Sequence, residues 1–306
     1  MKKWFVALML LCSSAGASET MLAGNLSSVG SDTLGTLMTL WGESFNRLYP
    51  GVNVQIQASG SSTAPTALAA GAAQLGAMSR PMQAVERQLF ENRYGYAPLA
   101  VPVAMDALVV VVNQDNPLQG VDARQLDAIF SVTRRCGAPF TVRSWGDLQL
   151  TQGEWARRPI QRFGRNSASG TWGFFRQQAL CNGDFRSDVS EYPGSAAVIQ
   201  AVASTLNGIG YASMGVHMTG VKTLPVSRDG TDWIAPSVAN IRSGSYPYAR
   251  PLYIYVNRAP GQPLEPLTRA FLRQALSPQG QALVTQAGYL PLSDAQLEKA
   301  RMMVNE

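Results

Sequence analysis

The sequence predicts an α/β fold in two lobes, and three observations carry that reading. Segments with the two-residue period of a strand alternate with segments at helical spacing. The chain has 306 residues, about twice a typical domain of ~150. Hydrophobic residues make up 46% and charged residues 15%, which supplies packed cores and excludes a disordered or collagen-like chain.

The elements follow in order. Leu34, Leu37, Met38, Trp41, Phe45 and Leu48 share one helical stripe, so a core-facing helix is expected over Leu34–Leu48. Val52, Val54 and Ile56 alternate with Asn53, Gln55 and Gln57, which predicts a strand. Pro65 falls in the first turn of a short helix. The aliphatic run Ala107–Val112 predicts a strand covered on both faces in a parallel sheet. Helices are expected over Asp122–Phe130, around Phe174, Phe175 and Leu180, and over Ser195–Leu206. A strand over Leu252–Val256 precedes helices at Pro263–Leu276 and Pro278–Ala287, and Met302-Met303 reads as packing or fraying. The extended stretch Val101–Asp106 and the Gly/Tyr/Pro-rich stretch Ser243–Tyr248 read as crossings between lobes. Residues 22–106 and 250–306 would then form lobe one, and residues 107–249 lobe two.

Residues 1–17 read as a signal peptide: Lys2 and Lys3, an apolar run from Trp4 to Leu11, then the small cleavage site Ala15-Gly16-Ala17. A membrane or buried helix would need a longer apolar run. Bulky Leu11 before Cys12 suits a lipid-anchored cysteine poorly, so soluble export is expected. Cleavage leaves Cys136 and Cys181. An even count in an oxidising compartment favours one disulfide, with two separate buried thiols as the alternative.

A single histidine, His217, and three cysteines argue against a His-based triad or a Cys/His metal site. The net charge of +5 has no Lys/Arg block behind it, which argues against nucleic-acid binding. Three loops instead place glycine and small hydroxyl residues directly before a helix. They are Gly30-Ser31-Asp32-Thr33, Ser59-Gly60-Ser61-Ser62-Thr63 and Gly164-Arg165-Asn166-Ser167-Ala168-Ser169-Gly170-Thr171. Free N–H groups at a helix start carry partial positive charge, hydroxyls add rotatable donors, and Arg165 adds a charged fork. Each loop alone reads first as an ordinary N-cap; three of them, one with an arginine inside it, are less easily dismissed. None has the glycines and lysine of a nucleotide P-loop or the Gly-x-Ser-x-Gly of a serine hydrolase. Neither Ser61 nor Ser169 has an obvious base. Phosphate-sized anion binding is therefore favoured over hydrolysis.

At these residues the sequence resembles the phosphate-binding proteins of the bacterial high-affinity phosphate ABC transporter, the PstS family. The matching segments run from Gly24 to Leu34, Ala58 to Pro65, Met78 to Met82, Gly164 to Thr171 and Gly208 to Tyr211. The resemblance implies a two-lobed periplasmic binding protein of type II, each lobe a mainly parallel sheet flanked by helices, closing on phosphate in the cleft between them. By position it implies Asp32, Thr33, Leu34, Ser61, Ser79, Ser169, Gly170 and Thr171 as donors or acceptors, with Arg165 as the charged partner. Some members carry aspartate at the position of Ser79, where it accepts the ligand's proton and so excludes sulfate; another carries it at Ser167. Here Asp32 is the carboxylate within the matched loops and the candidate for that task, its alternative being a cap of the following helix.

The expected role is capture of inorganic phosphate and delivery to a membrane permease, by a periplasmic monomer without cofactor or metal and not an enzyme. Sulfate or molybdate binding is the alternative within the class, and a phosphatase on the same cleft the alternative outside it. Hydrolysis would want a metal cluster or an activated nucleophile, and the sequence shows neither. Arg80 reads either as a residue of the cleft mouth or as a structural ion-pair partner. His217 reads as a surface residue or a satisfied polar one. Tyr211 and Tyr246 line a hinge or simply pack, and Trp41 and Phe45 belong to the core.

Overall fold

The computed structural model describes residues 22–150 and 153–306; the signal peptide expected over 1–17, with Cys12, lies outside the described residues. The strands are β1 (Ala23–Gly30), β2 (Gly51–Gln57), β3 (Leu75–Met78), β4 (Leu99–Asn113), β5 (Val121–Asp122), β6 (Gln161–Arg165), β7 (Val189–Tyr192), β8 (Gly208–Ser213), β9 (Val221–Thr223), β10 (Val226–Ser227) and β11 (Ala249–Val256). The α-helices are α1 (Gly35–Leu48), α2 (Ala64–Ala70), α3 (Ala84–Tyr94), α4 (Ala123–Phe130), α5 (Gly170–Ala179), α6 (Ser195–Ala203), α7 (Val238–Ser243), α8 (Pro266–Ala275), α9 (Pro278–Gln286) and α10 (Asp294–Asn305).

One curled sheet runs β2-β1-β3-β11-β4-β8-β6-β7, with β9 added beside β4. Within it β2, β1 and β3 are mutually parallel, and so are β8, β6 and β7. Antiparallel β11 and β4 join the two groups. The join is made inside β4 itself. Its residues Leu99–Ala107 pair with β11, and Leu108–Val112 pair with β8. This is the two-lobed α/β architecture, with the sheet continuous from one group to the other.

Each group has its own core. In the first, α1 turns Leu37, Met38, Trp41 and Phe45 inward, and Trp41 and Phe45 meet Phe271 of α8 edge-on at 6.5 and 5.4 Å. Such aromatic pairs add about 0.5–1.5 kcal/mol beyond the burial of their area. The indole of Trp41 donates to the Gly280 carbonyl (2.9 Å), so its one polar atom is satisfied. In the second, Phe130, Trp145, Phe175, Tyr211 and Tyr246 are buried together, with Phe175 stacked on Tyr211 at 3.9 Å. A Cys136–Cys181 disulfide, Cα to Cα 5.3 Å, ties the segment after α4 to the end of α5.

Several expectations are corrected. The aliphatic run of β4 is buried on both faces, yet its neighbours β8, β9 and β11 all run antiparallel to it. Continuous apolarity reports burial and carries no information on the direction of the neighbours. Leu48, placed on the core stripe, is exposed at the last position of α1, and Leu180 lies just past the end of α5. Met302 and Met303, read as packing or fraying, lie within α10, which docks through Ala300 and Val304 and leaves Met302 exposed. The two stretches read as crossings between lobes keep that reading, with Val101–Asp106 inside β4 and Ser243–Tyr248 spanning the end of α7 and the turn into β11.

Candidate functional site

The hydroxyl loops sit where parallel strands end and helices begin, the usual ligand edge of an open α/β sheet. β1 leads through Ser31–Leu34 into α1, β2 through Ala58–Gly60 and a 3-10 turn at Ser61–Thr63 into α2, and β6 through Asn166–Ser169 into α5. Ser79 follows β3 directly. These loops meet. The Thr33 and Thr171 hydroxyls lie 3.2 Å apart, and those of Ser61 and Ser79 3.3 Å apart. The Ser79 N–H also donates to Ser61 Oγ (3.0 Å), and the Ser62 N–H to the Ala168 carbonyl (3.1 Å).

Two glycines make the meeting possible. Gly60 has φ +119°, and a Cβ there would lie 2.5 Å from the Ala168 carbonyl oxygen, so both conformation and space demand glycine. A Cβ on Gly170 would lie 2.2 Å from Ser61 Oγ and 2.4 Å from Ser79 Oγ. The first residue of α5 is therefore pressed onto both serines. Ser169 caps α5, its Oγ accepting from the Thr171 N–H (3.1 Å).

Arg165 is fully buried at the end of β6. Its Nε donates to the Tyr192 carbonyl (3.3 Å), Nη1 to Ser195 Oγ (3.1 Å), and Nη2 to the Pro193 carbonyl (2.8 Å) and to Asp32 Oδ2. All but one of its N–H donors are thereby used, and the one left is on Nη1. Asp32 consequently pairs with Arg165 across the two groups of strands. It does not cap α1: that helix starts after Leu34 without a side-chain cap. The second carboxylate oxygen of Asp32 is buried with no partner among the described residues. Below this pair, the Tyr211 hydroxyl accepts from the Arg165 backbone N–H (3.2 Å), and burial raises its pKa, so it stays neutral.

All the positions implied by the resemblance thus converge: Asp32, Thr33 and Leu34 on the first loop, Ser61 on the second, Ser79 after β3, and Arg165, Ser169, Gly170 and Thr171 on the third. Arg80 stands beside them in a bidentate pair with Glu86 (both contacts 2.7 Å), with Ser62 Oγ 3.2 Å away. With Ser167, Ser169 and Trp172 it lines a cavity of about 150 Å³. Tyr211 and Tyr246 pack, and His217 is exposed.

Sequence reasoning missed a second buried layer. Arg250 of β11 holds Asp106 of β4 through Nε and Nη2 (2.9 and 2.7 Å), and the same Nη2 donates to Thr171 Oγ1 (2.9 Å). The Tyr289 hydroxyl, kept neutral by burial, donates to the Thr33 carbonyl (2.6 Å). Ser195, which supports Arg165, was legible only as the start of a helix.

The PBP superfamily domain model matches residues 15–279. The chain is 50% identical over 316 residues to the phosphate-binding protein PstS of Pseudomonas aeruginosa, covering 98% of each. The chain belongs to the PstS family within the PBP superfamily. A more distant PstS relative, from Staphylococcus saprophyticus, is 25% identical over 271 residues, 84% of this chain and 81% of its own. The crystal structure of a possible phosphate binding protein from Planctomyces limnophilus superposes with a TM-score of 0.67 at 25% identity, covering 92% of this chain and 98% of that one. An ABC-type phosphate transport receptor from Vibrio cholerae reaches 0.69 at 21% identity, over 87% and 100%, and shows the fold alone. In this family member the three loops, Arg165 and its carboxylate partner Asp32 are all present. Among the described residues no group of His, Cys, Asp and Glu is placed to hold a metal, and no helix is long and apolar enough to cross a membrane.

Proposed function

We propose that this chain is a periplasmic solute-binding protein that captures inorganic phosphate in the cleft and hands it to an ABC transporter permease. It carries out no chemistry on the anion and acts as a monomer. The observation that carries the reading is the meeting of the three helix-start loops beside the buried Arg165, the first through Asp32 and Thr33 and the second through Ser61 and Ser62, with one Arg165 N–H left without a partner among the described residues. Hydroxyls of Thr33, Ser61, Ser79, Ser169 and Thr171, backbone N–H groups at Leu34 and Gly170, and Arg165 would donate to the phosphate oxygens. The unpartnered oxygen of Asp32 would accept the proton that phosphate retains near neutral pH and sulfate lacks.

Residues 22–106 with 250–306 would move as lobe one and residues 107–249 as lobe two. The change of partner along β4 between Ala107 and Leu108 supports those limits. Isothermal titration with phosphate, arsenate and sulfate tests the reading. Saturable binding of one phosphate per chain, with sulfate excluded, is expected; absence of phosphate binding by the folded mature chain would refute it.

A further inference from the structure

Arg250 and Asp106 form a buried ion pair outside the three loops, with side chains 1% and 0% exposed. Their placement is specific. Asp106 and Arg250 face each other in the register of β4 and β11, beside the point where β4 changes from β11 to β8. Ser213 Oγ of β8 donates to the other oxygen of Asp106 (2.8 Å), and the guanidinium lies over the Phe174 ring of α5, 5.1 Å from its centre. Nothing about strand pairing requires a charge here. Burying such a pair costs desolvation on both sides, and apolar residues of similar volume often serve stability as well. The pair therefore calls for a role other than stability.

A count of hydrogens supplies it. Arginine has donors only, so the 2.9 Å contact from Arg250 Nη2 obliges Thr171 Oγ1 to accept. The hydroxyl proton of Thr171 is then directed elsewhere, to Thr33 Oγ1 at 3.2 Å or to an anion in the cleft. Arg250 Nη1, with no partner among the described residues, adds positive charge behind the same hydroxyl. We propose that Arg250 is a positioning residue for the anion. Held by Asp106, it fixes Thr171 as an obligate donor and polarises that hydroxyl toward the ligand. The inference rests on the phosphate-capture reading, and it adds to the loops a residue that the ligand need not touch.

The test is a double-mutant cycle read by phosphate titration. Arg250→Lys keeps the charge beside Asp106 but lacks the fork that reaches both Asp106 and Thr171. Phosphate affinity of the folded Arg250→Lys protein is expected to fall about tenfold, the scale of one hydrogen bond to a charged group. In a Thr171→Val background the same change should cost less than about threefold, because its effect passes through the hydroxyl. Arg250→Met combined with Asp106→Leu, which removes the whole pair and leaves no buried charge, should reproduce the loss if the lysine variant folds poorly. Equal losses with and without the Thr171 hydroxyl, or an affinity within about twofold of wild type in both variants, would overturn the proposal while leaving phosphate capture intact. Failure of the wild-type chain to bind phosphate would instead overturn the reading beneath it.

Discussion

Each arginine at the cleft brings its own carboxylate: Arg165 has Asp32, Arg250 has Asp106 and Arg80 has Glu86. With the charges balanced in advance, the proposed anion would be held by aimed N–H and O–H groups rather than by net positive charge, and wrong hydrogens could be rejected. Arg165 is the most exposed to loss of function, because its removal leaves Asp32 unpaired against an incoming anion. Stranding one member of a buried pair costs about 3–5 kcal/mol, so Arg165→Ala should weaken phosphate binding about a hundredfold or more. Arg80→Ala should do less, since Arg80 is occupied by Glu86 and stands beside the ring of loops. Titration of both variants checks the order, and equal effects would misplace the charged partner. Asp32→Asn separates charge from shape: one oxygen still accepts from Arg165, while an amide donor replaces the unpartnered oxygen. Sulfate should then gain on phosphate by about tenfold or more, one charged hydrogen bond's worth of discrimination. An unchanged ratio in competition titration would restrict Asp32 to supporting Arg165.

Among the elements, α5 shows how much of this site was open to sequence reading. Its start was legible because the cap Ser169, the close-approach Gly170 and the hydroxyl of Thr171 are adjacent, and each leaves a local residue signature. Gly170→Ala tests the element directly. On helix propensity alone, alanine would favour α5 by about 1 kcal/mol. Its methyl group, however, would sit within 2.4 Å of both the Ser61 and Ser79 hydroxyls, forcing the loops apart. Phosphate affinity should drop about tenfold or more, in line with an overpacking cost of about 1–3 kcal/mol, and titration showing no drop would mean the loops do not need this approach. Helices α1, α4 and α9 were equally legible from stripes and caps. Helices α3 and α10 were not, because α3 buries Phe90 alone and α10 only Ala300 and Val304, too few to make a stripe. The direction of the neighbours of β4 was hidden for a different reason, since burial on both faces looks the same in either sense. The pairing of Arg250 with Asp106 joins residues 144 positions apart, so no local pattern could announce it.

For the molecule as a whole, the sheet is continuous through β4 and β11, but the two cores are built differently. The first packs α1, α8, α9 and α10 on the parallel strands β1 to β3 and on antiparallel β11 and β4. The second includes the segment after α4, which forms no long helix and contributes Ala138, Val142 and Trp145 to the core. The Cys136–Cys181 bond closes that segment against the end of α5 across a separation of 45 residues. In the chain-entropy account a loop of that size is worth about 4 kcal/mol, chiefly by restricting the unfolded chain. The bond lies at the C-terminal end of α5, whereas the anion loops lie at its N-terminal end, roughly 15 Å away for ten helical residues. Stability and binding should therefore separate. Replacing both cysteines with serine should lower the unfolding free energy, obtained from urea denaturation followed by tryptophan fluorescence, by up to that ~4 kcal/mol. Phosphate affinity of the folded variant should stay within about threefold of wild type, because Ser169, Gly170 and Thr171 keep their own contacts to the first loops. A fall in affinity matching the fall in stability would show that the disulfide, through α5, also sets the geometry of the cleft.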